Sequence, residues 1–145
     1  MSNMFDWQAF LEFAKQIYHD NEKIKDVDNT IEALGRIAVS RTYYASYHSS
    51  RSFLLTLDPS FEETIRGGSH EAVIKAFLGE QNKLYKKIGR KLSWLKEQRV
   101  KADYISQRYP ARGHFGNIIS ELKIAIDSAD DINKIIDDCR KYVSA

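Results

Sequence analysis

Residues 29–57 read NTIEALGRIAVSRTYYASYHSSRSFLLTL, and the way this stretch folds decides the fold of the chain. Ile31, Leu34, Ile37, Ala38, Val39, Tyr43, Tyr44, Ala45, Tyr47, Phe53, Leu54 and Leu55 recur at helical intervals and lie nearly all round the cylinder. A helix apolar on most sides is the buried central member of a bundle. The spacing predicts a start at Asn29 or Thr30, with Glu32 placed to help cap the first turn. It predicts an end near Leu57, where Asp58-Pro59 removes a backbone donor and stops the helix.

The segments on either side supply partners for that helix. Upstream, Trp7, Phe10, Leu11, Ala14, Ile17 and Tyr18 form one apolar helical stripe, and polar residues 21–28 connect it to the second helix. Downstream, residues 58–68 read as a loop closed by Gly67-Gly68, after which Ser69 can cap a short helix carrying Val73, Ala76 and Phe77. A longer helix follows with Leu84, Ile88, Leu92, Leu95 and Ala102 as its stripe. Arg99 falls inside that stripe and needs a partner, for which Asp103 stands one turn on. Residues 106–116 read as a second loop, marked by Pro110, Gly113 and Gly116. In the last helix Ile118, Leu122, Ala125, Ala129, Ile132, Ile136, Cys139 and Val143 alternate spacings of four and three, a seam suited to antiparallel packing. No segment sustains a period of two. The expectation is an all-α bundle of four main helices plus a short one, as a single domain over 1–145.

Composition agrees with that class and removes others. A 145-residue chain with 43% hydrophobic and 29% charged residues is long enough to bury a core and too apolar to be disordered. The first residues lack the regions of a signal peptide, and no window approaches the roughly 18 apolar residues of a membrane span. The lone Cys139 fits a reducing compartment, so a cytoplasmic protein is expected, with no membrane partner. The net charge of +2 is unevenly spread. Eight basic residues between Lys83 and Lys101 face one acid, Glu97, and Lys83, Lys86, Lys87, Arg90 and Lys91 form a stripe able to hold nucleic-acid backbone or simply to meet water. Between Asp127 and Asp138 five aspartates oppose Lys134. This asymmetry permits an anionic ligand on one face and a basic partner on the other.

No phosphate loop, metalloprotease motif or paired-cysteine spacing is present, so no metal and no cofactor is expected. The stretch that carries chemistry lies within the second helix, between Ser40 and His48. Seven residues at about 100° each return to within roughly 20° of the starting direction, so Arg41 and His48 share a face about 10 Å apart along the axis. Arginine is a permanent cation matched to phosphate. Histidine titrates near neutrality and can move a proton. That pair is what metal-free cleavage of RNA asks for, although a core histidine and an ion-paired surface arginine would leave the same spacing. Arg36 and Arg51 extend the basic character of the helix. Arg51, three residues from His48, can reach a phosphate or stand solvated. Tyr44, with Tyr43 and Tyr47, can stack on bases or pack in the core or at a dimer contact.

The run Arg36-Ile37-Ala38-Val39-Ser40-Arg41-Thr42-Tyr43-Tyr44-Ala45-Ser46-Tyr47-His48 resembles the second-helix signature of HEPN domains, above all the small stand-alone group with a Ser-Arg-x-Tyr-Tyr-Ala-x-aromatic-His motif. Ser69-His70 and Arg99-Val100-Lys101-Ala102-Asp103-Tyr104 also look like that group, so the resemblance spans about residues 5 to 143. It implies an all-α homodimer whose signature helices approach each other. It further implies a metal-independent endoribonuclease using an Arg-x4–6-His motif, here Arg41 and His48, and acting as a toxin or antiphage effector. A small nucleotidyltransferase antitoxin is the partner the resemblance implies, RNA the substrate, and His70 a second family position able to assist there. Regulation by adenylylation of a tyrosine two residues after the motif histidine is not expected, because Ser50 stands there. The other reading is a non-catalytic helical dimer that binds a partner nucleotidyltransferase or nucleotide. Arg108, Arg112 and His114 in the second loop look like an addition to the family pattern that can touch substrate.

Overall fold

A computed structural model describes residues 4–61, 70–106 and 117–143. These residues form five helices, α1 (Gln8–Asn21), α2 (Asn29–Leu57), α3 (His70–Leu78), α4 (Lys83–Tyr104) and α5 (Ile118–Val143), with no strand among them. The all-α expectation holds, and α2 is the central element, touching each of the other four helices. Ser69, Gly67-Gly68 and the loop residues Arg108, Arg112 and His114 lie outside the described residues.

Local chemistry sets the helix ends. α2 starts at Asn29 as expected and is capped by Asp28, whose carboxylate accepts from the Ile31 amide at 2.9 Å. A side-chain cap of this kind stabilises by about 1 kcal/mol. Glu32 reaches along the helix to Arg36, at 3.8 Å. At the far end the Asp58 amide donates to the Leu54 carbonyl, and α2 stops before Pro59 as expected. Asn82 caps α4, accepting from the amides of Leu84 and Tyr85. Asn117 does the same for α5 through the Ser120 amide.

Two apolar clusters hold the bundle together. One gathers Tyr43, Phe53, Phe77, Ile88, Leu92, Leu95 and Ile132. The other joins Leu11 and Ala14 of α1 to Ala38, Val39, Leu122, Ile126 and Ala129. Each fully buried Leu, Ile or Phe contributes roughly 1.5–3 kcal/mol. Helices approach closely where glycine stands: a Cβ on Gly35 would lie 2.6 Å from Ile118 Cγ1, and one on Gly89 3.0 Å from the Leu78 amide nitrogen. The α4 stripe differs from expectation at its start, where Leu84 is exposed while Gly89 and Gln98 are buried. In α5, Ile119, Ile126 and Ile135 join the expected seam.

The charged surface is more internally satisfied than its distribution suggests. Four of the α5 aspartates are paired, Asp127 with Lys123 (2.7 Å), Asp130 with Lys15 (2.8 Å), Asp131 with Lys91 (3.0 Å) and Asp138 with Lys141 (3.9 Å). Exposed pairs like these stabilise by about 0–1 kcal/mol each, so they mainly neutralise. They also draw Lys91 out of the basic stripe. Lys86 leaves it too, donating to the Leu78 carbonyl at the end of α3. Arg36 is likewise a structural cation, donating to the carbonyls of Ala102 and Ile105 at the C-terminus of α4, where the helix dipole favours positive charge. Arg99 and Asp103 pair at 3.1 Å, as their spacing suggests. No described helix is long and apolar enough to cross a membrane.

Candidate active site on the second helix

Arg41 and His48 project from α2 toward the same neighbour, the first turn of α1. The Arg41 guanidinium lies over the Phe10 ring, 5.2 Å from its centroid. His48 stacks flat on Trp7, with centroids 3.6 Å apart and planes 10° from parallel. Trp7 and Phe10 are themselves in edge contact at 5.6 Å, and Phe5 packs edge-on against Trp7. One small aromatic group therefore supports both residues, which confirms the shared face computed from helical geometry. Trp7 and Phe10 read from sequence as core; the structure makes them the support of the pair, with Trp7 over a third exposed (37%).

Beyond His48 the rings continue in a row. Tyr47 meets His48 edge-on at 5.1 Å and stacks on His70 at 3.9 Å. His70 Nδ1 shares a 2.6 Å hydrogen bond with the Tyr43 hydroxyl. Tyr43 is completely buried, and that burial pushes its hydroxyl far above the usual phenol range. His70 is thus locked by α2 from the first turn of α3, and it reaches His48 only through Tyr47.

Tyr44 sits between two guanidiniums, 5.9 Å from Arg41 and 5.7 Å from Arg99. Arg99 also lies 6.0 Å from the Tyr43 and Tyr104 rings and is anchored by Asp103, whose carboxylate accepts a second bond from Ser40. Tyr44 therefore packs between two cations, half-buried. Ser50 is wholly buried.

Electrostatics decides the state of His48. Burial is the main cause that pushes its imidazole down to about 4, and the positive charges of Arg51 and His70 act in the same direction. At neutral pH the ring is uncharged, with a lone pair able to accept a proton. His70 is lowered as well, by burial first and then by Lys96 and Arg99. Both groups bind protons more weakly folded than unfolded. Their contribution to stability is therefore present above about pH 6.5 and lost as the pH falls, for His48 as it approaches about 4. Urea unfolding should give a lower midpoint at pH 5 than at pH 7, and His48→Gln should shrink that difference; an undiminished difference in the variant would assign the pH dependence elsewhere.

Among the described residues no group of three or more His, Cys, Asp or Glu is gathered to hold a metal ion. No family model matches this chain, and no curated protein and no solved structure matches it either.

Proposed function

We propose that this protein is a metal-independent endoribonuclease of HEPN type that works as a homodimer in the cytoplasm, as a toxin or antiphage effector. The observation that carries the reading is the joint mounting of Arg41 and His48 on the Phe10–Trp7 pair, with the imidazole in its uncharged form. In the proposed reaction neutral His48 accepts the proton of a ribose 2′-hydroxyl as its oxygen attacks the adjacent phosphorus. The bond from phosphorus to the 5′-oxygen breaks, and that oxygen takes up the proton. Arg41 stabilises the charge that grows on the phosphoryl oxygens. RNA incubated with purified protein in EDTA should be cut; intact RNA across total RNA and tRNA would count against the reading.

What remains exposed beside the pair supports the homodimer. Ile37 is 46% exposed on α2, one turn before Arg41. Tyr104 and Ile105 are exposed at the end of α4, which Arg36 ties to the same part of α2. A second copy packed there would bury this patch and bring two signature helices together. Light scattering should give about twice the 16.8 kDa monomer mass, and Ile37→Glu should return it to one. A wild-type monomer at high concentration would contradict a composite site. A small nucleotidyltransferase antitoxin remains the proposed partner.

The second reading, a non-catalytic dimer module that binds a nucleotidyltransferase or nucleotide, also has an observation in its favour. Ring stacking covers one face of His48, and aromatic rings flank Arg41, as they would in residues kept for packing alone.

A further inference from the structure

His48 stands at the edge of a cleft of about 480 Å³, bounded by the start of α1, the second half of α2 and the last turns of α5. Its sides carry three kinds of group. Between the helices runs an amide network: Asn133 donates to the Gln8 side chain at 2.8 Å, and Gln8 donates to the Ser49 hydroxyl. On the α1 side stand the rings of Phe5, half exposed, and Trp7. Two guanidiniums, Arg51 from α2 and Arg140 from α5, line the remaining side together with the Asp137 carboxylate, and a second carboxylate, Asp6, lines the α1 side. The cationic side is close enough to His48 for Arg51 to influence its protonation.

Size and chemistry together select a ligand class. The volume suits a small organic molecule. Aromatic rings offer a flat apolar contact for a base, and a guanidinium matches the geometry of phosphate oxygens. A bare anion would leave the rings unused.

We propose that this cleft binds one nucleoside monophosphate unit, with its base against Phe5 and the exposed edge of Trp7 and its phosphate on Arg51 and Arg140. The inference rests on the nuclease reading only for the origin of that unit, a nucleotide of the RNA strand next to the cut. A free nucleotide offers the same chemistry. Asp137 and Asp6 oppose the phosphate, so their charges set a limit on affinity.

The test uses Trp94→Phe protein, in which Trp7 is the sole indole, and follows its fluorescence during titration with AMP, adenosine and a short oligoadenylate. AMP should change the signal saturably, and adenosine should bind roughly tenfold or more weakly, because it lacks the charge-assisted bonds. Arg140→Gln should weaken AMP by a similar factor while lowering the melting temperature by no more than a few degrees, since its guanidinium also lies 5.9 Å from the Phe53 ring centroid, and Asp137→Asn should tighten it. Competition by the oligoadenylate assigns the unit to an RNA strand; AMP binding without such competition assigns it to a free nucleotide. No response to millimolar AMP, equal binding of AMP and adenosine, or an unaltered affinity in Arg140→Gln overturns the proposal. If AMP binds as described while no RNA is cut, the cleft stands and the nuclease reading falls. If RNA is cut but AMP gives no response, the cleft alone falls.

Discussion

His48→Ala is expected to lower RNA cleavage by about 10² to 10⁴-fold, the range that a positioned acid–base group supplies. The same variant should fold. The imidazole is half-buried and its chief contact is one stack on Trp7, an aromatic pairing worth about 0.5–1.5 kcal/mol beyond its area. A loss of that size moves the melting temperature by a few degrees. Activity and melting temperature measured side by side therefore separate the two roles open to this residue. A folded His48→Ala that cuts RNA at the wild-type rate would remove it from the chemistry. A variant that aggregates would return it to packing, and there His48→Gln, which keeps a planar polar group of similar reach, supplies the second measurement.

Arg41→Ala should cost about 10² to 10³-fold in turnover, the usual loss when a preorganised donor to a developing oxyanion is removed. Arg41→Lys should recover little of it. Lysine keeps the charge but lacks the planar fork that faces two phosphoryl oxygens, and it packs less well over the Phe10 and Tyr44 rings. Full rescue by lysine would mean that bulk positive charge near the helix is enough. No effect in Arg41→Ala would mean that the guanidinium only packs against the aromatics.

Much of the bundle is readable in the chain because helical periodicity is a local signal. The all-round apolar pattern of residues 29–57 identifies the central helix, and Asp58-Pro59 its end. Arg99 and Asp103 are readable for the same reason, being one turn apart on one helix. The cap of α2 is less legible, since Asp28, Asn29 and Thr30 are all capable caps in succession and only backbone geometry chooses Asp28. Helix arithmetic also places Arg41 and His48 on one face. It is silent on what covers them, because Trp7 lies 41 positions before His48 and wears the pattern of a core residue. The cleft is further still from local reading: Asn133 reaches Gln8 across 125 positions. The basic stripe misleads for a related reason. Spacing shows which lysines share a face, but not that Lys86 turns to the Leu78 carbonyl and Lys91 to Asp131. A dense run of aromatics at Phe5, Trp7 and Phe10, ahead of a helix with few other exposed rings, is the one feature of the sequence that could have pointed to the support of the pair.

The claim that Arg41 and His48 cut RNA by 2′-hydroxyl attack is tested most directly by the chemistry of the ends they leave. Wild-type protein and His48→Ala would be incubated with one RNA in EDTA, and the termini of the fragments identified by mass. The account predicts 2′,3′-cyclic phosphate opposite 5′-hydroxyl ends from the wild type, and almost none from the variant. Fragments ending in 3′-hydroxyl, equal amounts from both proteins, or cleavage that appears only when a divalent metal is restored would contradict it.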